Sequence, residues 1–159
     1  MNATPGVEEL FQTDPISALQ LPPPVTIGKD ATVRIALAAV QEHGMGYVLV
    51  VDQGRPYGII SEREVLMKIV ARDVRYSDGV EPFIARDPAT LTERDTIAAA
   101  IRKMHASGEQ NLPIVDHAGR AVAVLRTLDI IHFLAEAFPA HMLNLPPRPD
   151  QMLAQPEGA

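Results

Sequence analysis

Residues 47–65 read YVLVVDQGRPYGIISEREV, and residues 111–129 read NLPIVDHAGRAVAVLRTLD. In each, a short apolar run ends in aspartate and a glycine-containing turn follows. A second apolar run then leads straight into a polar corner. Short apolar runs bounded by turn residues are strand signals, and the turns make each pair of runs a hairpin. The pattern decides the fold because it occurs twice in one register. Asp52 and Asp116 lie 64 residues apart, and Gly58 and Ala123 lie 65 apart, the extra residue standing in the second turn.

Upstream of each hairpin stands a helical pattern, DATVRIALAAVQEHG at 30–44 and DTIAAAIRKMHASG at 95–108. Val33, Ala36, Leu37 and Val40 follow the spacing i, i+3, i+4, i+7, as do Ile97, Ala100, Ile101 and Met104. Each set is one apolar stripe closed by a glycine, the residue suited to a left-handed helix terminus. A short β segment precedes each helix, PVTI near Val25 and ATLT near Leu91. A second amphipathic helix follows each hairpin, EREVLMKIVAR and TLDIIHFLAEAF. The fold class is therefore α/β (α+β), with the unit β-α-β-β-α built twice.

Each unit is small for an independent core, so the copies are expected to pack on one another about a pseudo-twofold axis. The expected division is a flexible leading segment (1–21), repeat one (22–72), a linker (73–82), repeat two (83–138) and a proline-rich tail (139–159). One short helical turn is expected within the leading segment, at VEELF.

Composition narrows the function. With 47% apolar and 21% charged residues among 159, the chain is globular in character. It has no cysteine, which removes disulfides, thiolate metal sites and thiol catalysis and fits a cytoplasmic setting. The start shows no secretory signal, and no stretch reaches the roughly 20 apolar residues of a membrane span. A formal charge of −6, 14 scattered basic residues and 4% aromatics argue against nucleic acid as a partner. A small anion is not excluded by net charge, since a few local donors outweigh a weak field. His43, His105, His117, His132 and His141 show no metal-ligand spacing. Nothing in the sequence sets a histidine base beside Ser61, so a nucleophilic enzyme is the poorest reading.

The tandem order, with VVD-x-G-R-P-Y-G-I-I-S-E-R-E and IVD-x-x-G-R at matching places, resembles a pair of CBS domains, the modules named after cystathionine beta-synthase. The resemblance covers about residues 22–138 and implies one disc-shaped module with two clefts between the repeats. It further implies an adenosine-containing ligand (AMP, ADP, ATP or S-adenosylmethionine), a homodimer and an unidentified regulated protein. No catalytic domain is expected beside the pair, and no cofactor or metal is required.

The family's corner pattern is Gly, two apolar residues, Ser or Thr, two residues of any kind, then Asp. The resemblance implies that this Asp accepts hydrogen bonds from a ribose diol, while the hydroxyl and helix N-terminus hold phosphate. Copy one runs Gly58, Ile59, Ile60, Ser61, Glu62, Arg63, Glu64, with Glu in the ribose position. Ser61 and Glu64 also make a capping box, complete without any ligand. Arg63 reads either as a phosphate contact or as a solvated surface residue.

Copy two runs Ala123, Val124, Leu125, Arg126, Thr127, Leu128, Asp129. Asp129 is in place, but Arg126 holds the capping position, where its charge opposes the helix dipole. Either an anion belongs nearby, or Thr127 caps in a shifted register and Arg126 pairs with a neighbouring acid. By resemblance, the base wall of this cleft is Leu91, Thr92, Asn111, Leu112 and Pro113. Its equivalents in copy one are Thr26, Ile27, Tyr47 and Val48, with Tyr47 either stacking on a base or buried in its strand. HGMGY at 43–47 is glycine-rich but lacks the lysine and spacing of a phosphate loop. The leading expectation is a non-catalytic sensor that uses the Asp129 cleft. The alternative is a structural or interaction module whose clefts have degenerated.

Overall fold

A computed structural model describes residues 7–137. The described residues begin with α1 (Val7–Thr13) and a 3-10 turn, Ile16–Leu19. Repeat one follows as β1 (Thr26–Gly28), α2 (Val33–His43), β2 (Tyr47–Asp52), β3 (Arg55–Ser61) and α3 (Glu62–Glu64), which runs into a π-helical turn, Val65–Val70. A 3-10 turn at Glu81–Phe83 and β4 (Ala85–Arg86) lead into repeat two. That repeat is β5 (Leu91–Thr92), α4 (Ile97–Ser107), β6 (Asn111–Val115), β7 (Ala121–Arg126) and α5 (Thr127–Ala137). The unit β-α-β-β-α does occur twice.

The strands form two sheets, ordered β1-β2-β3-β4 and β5-β6-β7. β1 pairs parallel with β2, and β5 with β6, each across its crossover helix. Both hairpins are antiparallel, with matching register shifts between Val50 and Val51 and between Ile114 and Val115. The two crossover helices are bounded alike. The Thr32 hydroxyl accepts from the Ile35 N–H at 3.4 Å and the Thr96 hydroxyl from the Ala99 N–H at 3.1 Å. Gly44 and Gly108 close them at φ +60° and +72°.

Sheet geometry explains the unbroken apolar run of β2. Val48 and Val50 face the first repeat's helices, while Tyr47 and Leu49 face the other way, into a cluster with Ile59 and Val124 of the second sheet. With both faces covered, alternation disappears from the sequence. At the hairpin ends the repeats clasp each other. The Ala121 N–H donates to the Gly54 carbonyl at 2.9 Å, Arg120 lies over Gly54, and Arg55 lies over Gly119. A Cβ on Gly54 would make only ordinary contact, 3.7 Å from the Arg120 Cγ, so it is the turn, with φ at +80°, that calls for glycine.

The leading segment departs from expectation. From residue 7 onward it is ordered against repeat two, and Ile16 is buried in that repeat's core with Phe11, Leu19 and Leu21 around it. The Ile16 N–H donates to the Asp95 carbonyl at 2.8 Å, and the Ile97 N–H donates to the Asp14 carbonyl at 3.1 Å. The linker does the same for repeat one. Val80 and Ile84 lie in its core, the Val80 N–H donates to the Ala31 carbonyl at 2.9 Å, and the Val33 N–H donates to the Asp78 carbonyl at 2.9 Å. Every partner in one set is 64 residues from its counterpart in the other. Each repeat is thus completed by the chain that precedes the other.

Two further differences concern the second helices. α5 is a regular 11-residue helix, whereas its counterpart changes to π-helical form after Glu64, the Ala71 N–H reaching the Leu66 carbonyl at 3.2 Å. This turn leaves Leu66, Met67 and Val70 exposed. The first sheet also carries a fourth strand, since β4 pairs along β3 at Gly58 and Ile59. The expected tail, 139–159, lies outside the described residues, as does Phe138. No helix among the described residues is long and apolar enough to cross a membrane.

Candidate functional site

Both polar corners open onto one cleft of about 870 Å³ between the repeats. Its floor is two equivalent loops, Gly44 to Gly46 and Gly108 to Gln110, and its flanks are the starts of α3 and α5. Leu66 and Met67 of the π-helical turn overhang one side. The pseudo-twofold relation places the loops. The Glu62 N–H donates to the Gly46 carbonyl at 3.2 Å, and the Thr127 N–H donates to the Gln110 carbonyl at 3.0 Å. Each helix start is therefore tied to the loop that ends its own repeat's first helix.

In copy one the capping box forms. The Ser61 N–H donates to Glu64 Oε2 at 2.9 Å, and the Ser61 hydroxyl donates to the same oxygen. Glu64 is thereby committed to the start of its own helix. Arg63 is exposed on the cleft wall.

Copy two closes on itself in a different way. The Arg126 main-chain N–H donates to Asp129 Oδ2 at 2.8 Å. The Arg126 guanidinium meets the same carboxylate, with Nε 3.2 Å from each oxygen and Nη2 2.6 Å from Oδ1. The two side chains are only 18% and 12% exposed, so the pair is more than a solvated surface contact. The hydrogen bond that the guanidinium donates to Asp129 outweighs the opposing effect of burial and, with a lesser contribution from the carboxylate's charge, holds the guanidinium above its usual pKa. This identifies the acid that balances Arg126 against the helix dipole: it is Asp129 itself. Thr127 does not cap in a shifted register. Its N–H and hydroxyl both turn to the Gln110 carbonyl, at 3.0 and 3.4 Å.

The structure brings Ser61, Arg63, Asn111, Arg126 and Thr127 onto the cleft wall. It places Asp129 behind Arg126, away from the lining. Leu91 and Leu112 are buried in the second core, and Pro113 is buried in β6. Thr92 turns to its own helix start, its N–H and hydroxyl meeting the Asp95 carboxylate at 2.7 and 3.1 Å. Tyr47 is a buried strand residue at 1% exposure, and burial pushes its phenol pKa up. The loop at Gly44, Met45 and Gly46 was not singled out as a wall by its composition, nor were Glu109 and Gln110. Beyond the glycines of HGMGY, the signal in the sequence is the equivalence of the two loops under the repeat offset. The charged side chains of the cleft are Glu62, Glu64 and Glu109 against Arg63 and Arg126. Among the described residues no group of three or more His, Asp or Glu is gathered as a metal site.

Comparison with known proteins agrees with this architecture. The CBS domain model matches residues 16–71 and 80–136, beginning both times in the exchanged segments. An uncharacterized protein of Methanopyrus kandleri is 31% identical over 104 residues, 64% of this chain and 53% of that protein. An uncharacterized 17.7 kDa protein of Acidianus ambivalens is 28% identical over 108 residues, 67% of this chain and 65% of its own length. The chain thus spans about half to two thirds of these relatives. A CBS domain protein from Pyrobaculum aerophilum, solved in complex with AMP, superimposes with a TM-score of 0.69 at 25% identity, covering 79% of this chain and 99% of that one. The CBS domain pair of protein MJ0100, solved with 5′-methylthioadenosine and S-adenosyl-L-methionine, gives 0.68 at 22% identity over 76% of this chain and 98% of that one. With a family model matched over most of its length and both matches falling on one unit of the observed tandem, the chain belongs to the CBS domain family.

Proposed function

We propose that this CBS pair is a non-catalytic sensor that takes an adenosine-containing ligand in the cleft between its repeats and passes the change to a partner protein. The convergence of both corners on one cleft of about 870 Å³ carries this reading. That space lies within the range of small-molecule pockets. The adenosine class is supported by the AMP, 5′-methylthioadenosine and S-adenosylmethionine bound by the two solved neighbours. In this reading Asp129 accepts from the ribose hydroxyls, Arg126 and the start of α5 receive an anionic group, and Asn111 borders the base. A ligand touching both repeats biases their packing in proportion to its differential affinity. The exposed apolar side chains Leu66, Met67, Val70, Leu128 and Ile131 on the second helices favour association with a second copy, in a cytoplasmic setting.

One observation favours a second reading. Ser61–Glu64 and Arg126–Asp129 are each complete without a ligand, as in a pair that serves only as an interaction module. Calorimetric titration with AMP, ADP, ATP and S-adenosylmethionine, on the wild type and on Asp129→Ala, separates the two. A saturable ligand lost in the variant supports the sensor; silence from all four supports the interaction module.

A further inference from the structure

We infer that Arg126 is a specificity gate: it occupies the Asp129 carboxylate in the free protein and releases it only to a ligand carrying a phosphate or similar anion. The inference rests on the adenosine reading of the cleft and names what that cleft selects.

The geometry is specific to copy two. Asp129 accepts one bond from the Arg126 main chain at 2.8 Å, and the guanidinium closes over both of its oxygens at 2.6 to 3.2 Å. A vicinal diol needs those same oxygens as acceptors, because an ionised carboxylate is acceptor-only and its lone-pair sites are limited. Asp129 is 12% exposed and stands behind Arg126, whereas Arg126 itself lines the cleft. A neutral nucleoside therefore meets a covered carboxylate and offers the guanidinium nothing in return.

A phosphate changes the balance. Its oxygens match the guanidinium fork as well as a carboxylate does, and it brings more charge. Arg126 then exchanges one anionic partner for another, while Asp129 is freed for the ribose. The start of α5 supports the anion at the point where Arg126 would deliver it. Copy one has no such exchange. Its corresponding acid, Glu64, is held by the Ser61 hydroxyl and N–H, and Glu62 stands on the adjoining wall. The gate therefore gives the cleft a polarity, with the phosphate end at copy two.

The test is calorimetric titration of the full chain with AMP and with adenosine, for the wild type and for Arg126→Ser. This substitution leaves the main-chain bond to Asp129 in place and copies the Ser-x-x-acid order that copy one already folds with. Thermal unfolding of the free variant checks that the fold is kept. Arg126→Lys serves as a second variant that retains charge without the fork.

The wild type is expected to prefer AMP over adenosine by about tenfold or more, the scale of a charge-assisted contact. In Arg126→Ser, AMP binding should weaken by about tenfold while adenosine binding strengthens, so the preference collapses; Arg126→Lys should fall between. Equal wild-type affinity for the two ligands, or equal changes in both on substitution, overturns the gate and leaves the adenosine sensor standing. No binding of either ligand by either protein overturns the gate, and the titrations with ADP, ATP and S-adenosylmethionine then decide whether the sensor falls with it.

Discussion

Ile16 and Val80 stand 64 residues apart and fill the same place in opposite repeats, Ile16 in the core of the second and Val80 in the core of the first. Both are at most 1% exposed, and the main-chain bonds beside them repeat at the same offset. The described part of the leading segment is therefore part of the folded unit. Ile16→Ala should cost about 2–5 kcal/mol, the range for truncating a buried aliphatic side chain. Urea unfolding measures it. A loss within about 0.5 kcal/mol, as for a surface site, would mean that the segment is not packed.

Gly58 and Ala123 hold equivalent corner positions with different neighbours. A Cβ on Gly58 would stand 2.8 Å from Ile84 Cδ1 and 3.0 Å from the Ala85 carbonyl oxygen, because β4 crosses there. Gly58→Ala is expected to destabilise by about 1–3 kcal/mol through overpacking. Ala123→Gly should cost only about 0.5–1 kcal/mol. Chemical denaturation of the two variants side by side checks the order, and the reverse order would deny the close approach of β4.

The two crossover helices share a capping residue but not its geometry. The Thr96 hydroxyl accepts at 3.1 Å and the Thr32 hydroxyl at 3.4 Å. Thr96→Ala should therefore cost about 1 kcal/mol and Thr32→Ala less. Equal losses in thermal or chemical unfolding would show that the caps are equivalent in solution.

Acid stability offers a separate check on the second hairpin. Asp116 Oδ1 accepts from the Ala118 and Arg120 N–H groups at 2.8 and 3.0 Å, and these bonds, Arg120 first, hold the carboxyl below its usual pKa. A carboxyl depressed by folding contributes stability that is fully present above its unfolded pKa of about 3.9 and is lost as pH falls through its folded value. Asp116→Asn keeps an acceptor oxygen but does not titrate. The stability difference between wild type and variant should thus shrink between about pH 6 and about pH 2. A difference that stays constant over that window would assign the carboxyl no part in the turn.

The sequence made the repeated unit legible because its strongest signals are local. Helix stripes, closing glycines and the two Asp-turn-strand hairpins each need only neighbouring residues, and all appear where expected. The exchanged segments were not legible. Ile16 lies among a few apolar residues of no regular period, Phe11, Leu19 and Leu21, and its burial goes with a main-chain pairing to Asp95 that no local pattern reveals. At the site, the capping box followed from spacing, since Ser61 and Glu64 sit three residues apart on one helix start. The oddity of Arg126 was visible too, but its partner was not. Asp129 read as a free acceptor because type and position alone do not say which way a neighbouring guanidinium turns.

The crossing of the lead-in segments has a consequence for how this protein can be divided. The stretch that recurs in the sequence is not a stretch that folds, since one copy taken alone carries the lead-in for its neighbour and lacks its own. A single-copy chain of residues 76–137 would satisfy both needs by joining an identical chain and trading lead-ins with it, which is domain swapping. The tandem is then the covalent form of such a swapped dimer, with its pseudo-twofold axis standing where the axis between two subunits would be.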